Sequence, residues 1–100
     1  MELPPGIKIK ENSLYAKMAA YKLSTKMVAI VFANTIHLYG VSKQLFLKNE
    51  SWVKHELKHV EQYSRLGFAN FLWQYLIESI KHGYTNNRFE VEAREAEKLP

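Results

Sequence analysis

One hundred residues make one domain, too short for a deep cleft between two large lobes. The chain has no cysteine, which excludes disulfides and thiolate metal sites, and no aspartate, so any side-chain metal ligand must be His or Glu. A net charge of +4 spread over dispersed lysines and arginines argues against nucleic acid as a partner, and no apolar run approaches the ~20 residues of a membrane span.

The opening MELPPGIKIKENS lacks the charged start and apolar run of a signal peptide, so a cytoplasmic chain is expected. Residues 1–11 are Pro-containing and irregular, with a short extended piece from Ile7 to Ile9. SLYAKMAAYKLST, 13–25, predicts a helix with Ser13 as N-cap and Leu14, Met18 and Tyr21 at helical spacing. MVAIVFANTIHLYGV, 27–41, is β-branched and aromatic, interrupted by Asn34 and Thr35 and ended by Gly40. It predicts two short strands or one that bends.

SKQLFLKN, from Ser42, suits a short helix. Ser51 is then the expected cap of a longer one, WVKHELKHVEQYSRL, stopped by Gly67. FANFLWQYLIESIKH, 68–82, predicts a long helix ending at Gly83. RFEVEAREAEKL, 88–99, predicts a last helix capped by Asn86 or Asn87. Strands gathered in the first half and helices in the second make an α+β domain spanning 1–100.

HELKH, 55–59, carries the chemistry. On a helix with Val53 at zero, Leu57, Val60 and Ser64 fall within roughly 40°. Lys54, Lys58, Glu61 and Arg65 form a wet stripe near roughly 80–140°. His55 and His59 fall near roughly 200° and 240°, and Glu56 near roughly 300°, beside Trp52, Tyr63 and Leu66. The histidines therefore lie on a second inner face. Imidazoles four apart can both reach one tetrahedral Zn2+, and the intervening Glu56 is placed as general base.

A catalytic zinc site needs a third protein ligand. His37, between Ile36 and Leu38, reads as a strand residue on a half-exposed face, and His82 as a charge suited to a helix C-terminus. In the last helix Phe89, Ala93 and Ala96 make the core stripe. Glu90 and Glu97 flank one side and Glu92 the other, so either Glu90 or Glu92 could turn to the metal.

HELKH, followed roughly 30 residues later by EVEA, resembles the gluzincin branch of zinc metallopeptidases, and the single-domain size is similar to the minigluzincins and to small bacterial domains carrying HELxHVxQ. The resemblance covers residues 13–98. It implies a minimal zincin-like fold, Zn2+ as cofactor, a peptide or protein as substrate, and Glu90 as third ligand after His55 and His59, with Ala93 matching the small residue of an E-x-x-A motif. The family pattern has Asp four residues after the ligand Glu, supporting a histidine; this chain has Arg94 there. That support must come from Glu, Asn or a backbone carbonyl.

The expected activity is hydrolysis of peptide bonds, with Glu56 as base. Tyr84, Arg88 and Tyr63 are candidate oxyanion donors, and a strand edge within 27–40 is a candidate substrate rail. Two other readings stand beside it. One is a zinc-stabilised binding domain without turnover, or a latent enzyme whose tail EAEKLP fills the cleft. The other is a membrane-surface module built on FANFLWQYLIESI. That stretch is apolar around most of its circumference, which is more usual for a buried helix.

Overall fold

A hairpin between two helix-bearing segments organises the chain, and its elements are β1 (Lys8–Lys10), α1 (Leu14–Leu23), β2 (Val28–Phe32), β3 (Thr35–Tyr39), α2 (Lys43–Lys48), α3 (Glu50–Leu66), α4 (Phe68–Asn86) and α5 (Arg88–Ala96). The structure, a computed structural model, describes residues 2–100. The fold is α+β, with a three-stranded mixed sheet of order β1-β3-β2. β2 and β3 pair antiparallel, Ile30 opposite His37, through a turn at Ala33 and Asn34. β1 adds parallel to β3, Ile9 beside Ile36.

Alternation decides which side chains meet which helices. Val31, Ile36 and Leu38 point to one face, where they form the core with Phe46, Val53, Val60, Tyr63, Phe71 and Phe89. His37 points to the other. Strand alternation predicts a half-exposed His37; it is buried, because α1 packs over that second face. Ser13 Oγ and His37 Nδ1 share a hydrogen bond of 2.7 Å, and the His37 ring meets Tyr15 and Phe32 edge-on. Burial, then the charge of Lys10, holds the His37 imidazole below its ordinary pKa.

α1 differs from its predicted orientation. Its buried side chains are Ala16 and Ala20, whose small size lets the helix approach the sheet. Leu14, Met18 and Tyr21, the residues at helical spacing, all face outward. α4 also departs from a helix buried on two sides. Phe71 is its one fully buried residue, while Phe68, Trp73, Leu76 and Ile80 are exposed.

Caps follow the expected chemistry at Ser42, whose side chain accepts from the Leu45 N–H, and at Asn87, which accepts from Phe89. The cap of α3 is Asn49, not Ser51. The Asn49 carboxamide accepts from the Trp52 N–H at 3.1 Å, so the helix starts one residue before Ser51, which instead donates to Asn49. Gly83, at φ 77°, interrupts α4 where the sequence places its end, and the chain turns once more before α5. Gly40 closes β3 at φ 79°, where a Cβ would stand 1.9 Å from the Lys26 carbonyl oxygen.

Candidate metal centre

α3 and α5 lie against each other, and that contact brings the two motif segments together. Val53 and Val60 bury one side of α3 in the core. The side roughly opposite, carrying His55 and His59, then faces α5 and α4. Phe89, Ala93 and Ala96 seat α5, and the intervening geometry turns Glu90 inward until it is 3% exposed.

His55, His59 and Glu90 form a group that could hold a metal ion, each offering a ligand atom within 4.8 Å of the others. Glu90 Oε1 stands 3.0 Å from His55 Nε2 and 3.3 Å from His59 Nε2. Zinc–ligand lengths of about 2.0–2.1 Å put tetrahedral neighbours about 3.3 Å apart, so these spacings suit one small ion. Glu92 lies outside this group. Its carboxylate accepts from Gln62 and from Arg65 and lies near Lys58.

Each imidazole is fixed from behind. Glu97 Oε2 accepts from His55 Nδ1 at 2.7 Å. Gln62, fully buried, donates through Nε2 to the Phe89 carbonyl and to Glu92, so its amide has one orientation and its Oε1 accepts from His59 Nδ1 at 2.9 Å. Both histidines therefore carry a hydrogen on Nδ1 and aim Nε2 at the shared carboxylate. Two imidazole lone pairs facing a carboxylate oxygen repel unless a cation or protons lie between them, and the donor set is chemically suited to a divalent ion.

The protonation energetics follow the same geometry. Burial would lower the His55 pKa, but hydrogen bonds to Glu90 and Glu97 outweigh it and raise it to about 9. His59 is raised for a similar reason: burial opposes, and the bond to Glu90 wins. Glu90 is held far below the carboxylate range, since the histidines and the Tyr75 hydroxyl overcome its burial. Tyr75 donates to Glu90 Oε2, so both carboxylate oxygens are engaged.

Glu56 is 6% exposed and makes no part of the ligand group. Burial pushes its carboxyl up to about 7, against the lowering influence of His59 and His55. A carboxyl poised near neutrality beside a group that could hold a metal ion has the protonation range a general base and acid needs.

A cavity of about 360 Å³ opens at the site, with His55, Glu56, His59, Tyr75, Tyr84 and Glu90 at its polar end. β2 forms one wall, and it is an edge strand, paired with β3 on one side only. Leu23, Phe71 and Leu72 make the rest largely apolar.

Among the proposed oxyanion donors, Tyr84 reaches the site. Partial burial, then the charges of Glu90 and Glu56, raise its phenol to about 12, so it keeps its proton at neutral pH. Arg88 is directed to Gln74 and Glu78 and over the Phe89 ring. Tyr63 lines the cavity but is buried among Phe68 and Phe71.

Tyr75 and Glu97 escaped a role in the sequence reading. Glu97 was recoverable: it lies seven residues after Glu90, two helical turns on and on the same side. The tail does not line that cavity, but Glu97 lines a neighbouring opening together with His55, Glu56 and Tyr84. Glu97 meets the Nδ1 edge of His55, away from Glu90, and the Leu99 carbonyl accepts from Lys54.

No helix is long and apolar enough to cross a membrane among the described residues. No protein-family model matches the chain, and neither a curated protein nor a solved structure matches it.

Proposed function

We propose that the chain is a zinc-dependent metallopeptidase with a minimal zincin-like fold, His55, His59 and Glu90 being the residues that would hold Zn2+. The observation that carries this reading is the convergence of two Nε2 atoms on one buried carboxylate, beside a second buried carboxyl at the end of a strand-walled cavity. Zinc, when bound, supplies Lewis acidity and acidifies water in the site.

The chain's own residues do the rest. An extended peptide pairs with the open edge of β2, which sets its carbonyl toward the histidines and buries alternate side chains against Leu23, Phe71 and Leu72. Glu56 takes the proton from the attacking water and hands it to the leaving amine. Tyr84 donates to the oxygen on which negative charge develops.

The deciding experiment measures zinc content and cleavage of a quenched peptide library, for the native chain and for Glu56→Gln. Stoichiometric zinc in both, with cleavage lost only in the variant, is expected. Zinc without cleavage in either would leave the non-catalytic metal-stabilised domain. The Gln62 bridge between α3 and α5 favours that reading, because it ties the site to the fold itself. Absence of zinc from the native chain would end both readings.

A further inference from the structure

α1 is built inside out, and that inversion needs a reason. With Leu14 at zero, Tyr21 falls near roughly 340° and Met18 near roughly 40°, and Lys17 and Lys22 flank this stripe near roughly 300° and 80°. All three apolar residues are exposed, Tyr21 to 90%, while the inner side of the helix holds only alanines as buried residues. Leu23 and Met27 continue the exposed apolar surface, and Lys26 lies beside them. A helix this apolar on its water side forfeits hydrophobic stabilisation unless something covers it.

Charge identifies the cover. The lysines and arginines are dispersed along the chain, but the carboxylates are not. From Asn12 to Asn49 there are five lysines and no acidic residue, whereas the remaining residues carry nine basic and ten acidic side chains. The whole positive excess therefore belongs to the segment containing α1. Glu11, the carboxylate just ahead of it, is turned to the Lys43 N–H at 2.9 Å. A second copy of the same face would set lysine against lysine. A nucleic acid would leave Leu14, Met18 and Tyr21 with nothing apolar to bury against.

We infer that α1 docks flat on an anionic lipid surface, with Leu14, Met18 and Tyr21 entering the headgroup–acyl boundary and Lys17, Lys22 and Lys26 reaching back to phosphates. An apolar stripe with lysines on both shoulders is the arrangement an interfacial helix uses, the long lysine stems lying along the apolar surface while their charges stay at headgroup level. Ala19 and Leu23 of α1 also line the cavity at the metal centre, so docking would bring the cleft to the bilayer surface without any segment crossing it. The inference does not depend on the peptidase reading, since the stripe and its lysines are independent of the metal ligands.

Co-sedimentation with phosphatidylcholine vesicles, with and without phosphatidylglycerol, tests it on the full chain. Binding to the anionic vesicles alone, weakening as salt is raised, is expected. K17Q/K22Q should weaken it by about thirtyfold. M18S/Y21S should reduce it at least as far. Both variants change exposed side chains, and unaltered circular dichroism and thermal midpoint would show that the fold persists. Equal binding to neutral vesicles would overturn the inference, as would failure to bind either kind. So would a salt-sensitive dimer or a nucleic-acid complex that the same variants abolish while vesicle binding is absent.

Discussion

Glu97, the C-cap of α5, holds His55 through Nδ1 at 2.7 Å, while Glu90, two turns earlier, faces Nε2 of that ring at 3.0 Å. α5 and its C-cap residue thus supply both the carboxylate that would share a metal with His55 and the carboxylate that sets the ring's tautomer. Arg94, four residues after Glu90, is directed to the Thr85 carbonyl and away from the histidines, so the support for His55 comes from the glutamate three residues further on.

Glu97→Gln should therefore leave one zinc per chain but weaken its binding by about ten- to a hundredfold. Competition against a fluorescent chelator reads this directly. An unchanged affinity would mean that the ring is oriented by packing alone.

Gln62→Leu removes the hydrogen bonds to His59 Nδ1, to the Phe89 carbonyl and to Glu92 in one step. Leaving the His59 Nδ1 hydrogen buried and unpaired should cost about 1–3 kcal/mol of stability, seen as a lower urea midpoint with an unchanged slope. A variant as stable as the native chain would show that water reaches the His59 ring from the site.

The pH response should change sign with metal. In chelated protein the His55 pKa, about 9 folded against 6.5 in the free side chain, makes a stabilising contribution fully present below about 6.5 and lost as pH rises through about 9. Glu56, raised to about 7, adds a loss in the same direction between about 4.5 and 7. His37, lowered in the fold, acts oppositely and costs stability as pH falls below about 6.5. Zinc must displace the proton on His55 Nε2, so binding near neutral pH should release it. Titration calorimetry in buffers of different ionisation enthalpy measures that release; heats independent of buffer would contradict a protonated His55.

Gly40→Ala should destabilise the hairpin by more than the about 1 kcal/mol of an ordinary positive-φ substitution, because the new methyl would collide with the Lys26 backbone. Thermal unfolding reads the shift. A tolerated alanine would mean that the approach of Lys26 can relax at little cost.

How much of this was legible in the sequence depended on whether a residue's role was local. HELKH spacing on an amphipathic helix announced the two histidines. Gly67 and Gly83 marked the ends of α3 and of the long run of α4, and the turn residues Asn34 and Asn87 fell where breaks occur. Glu90 against Glu92 could not be settled locally, because only the docking of α5 on α3 decides which side of a nine-residue helix faces the histidines. His37 was misjudged because strand alternation gives two faces and does not say that a helix covers both. The apolar spacing of Leu14, Met18 and Tyr21 pointed to a core that the fold does not build, since close contact with the sheet required alanine instead.

Ser13 illustrates what such non-local contacts do to assembly. Its hydroxyl is turned to His37 and caps no N–H of its own helix, and the Ser13 amide hydrogen goes to the Leu38 carbonyl. α1 thus begins by permission of a strand met later in synthesis, with two alanines as its fully buried interior. It has too little of its own to nucleate early. In the order of events, α1 should settle last, onto a hairpin already backed by α3, and mutation at Ala16 should speed unfolding while leaving the refolding rate almost untouched.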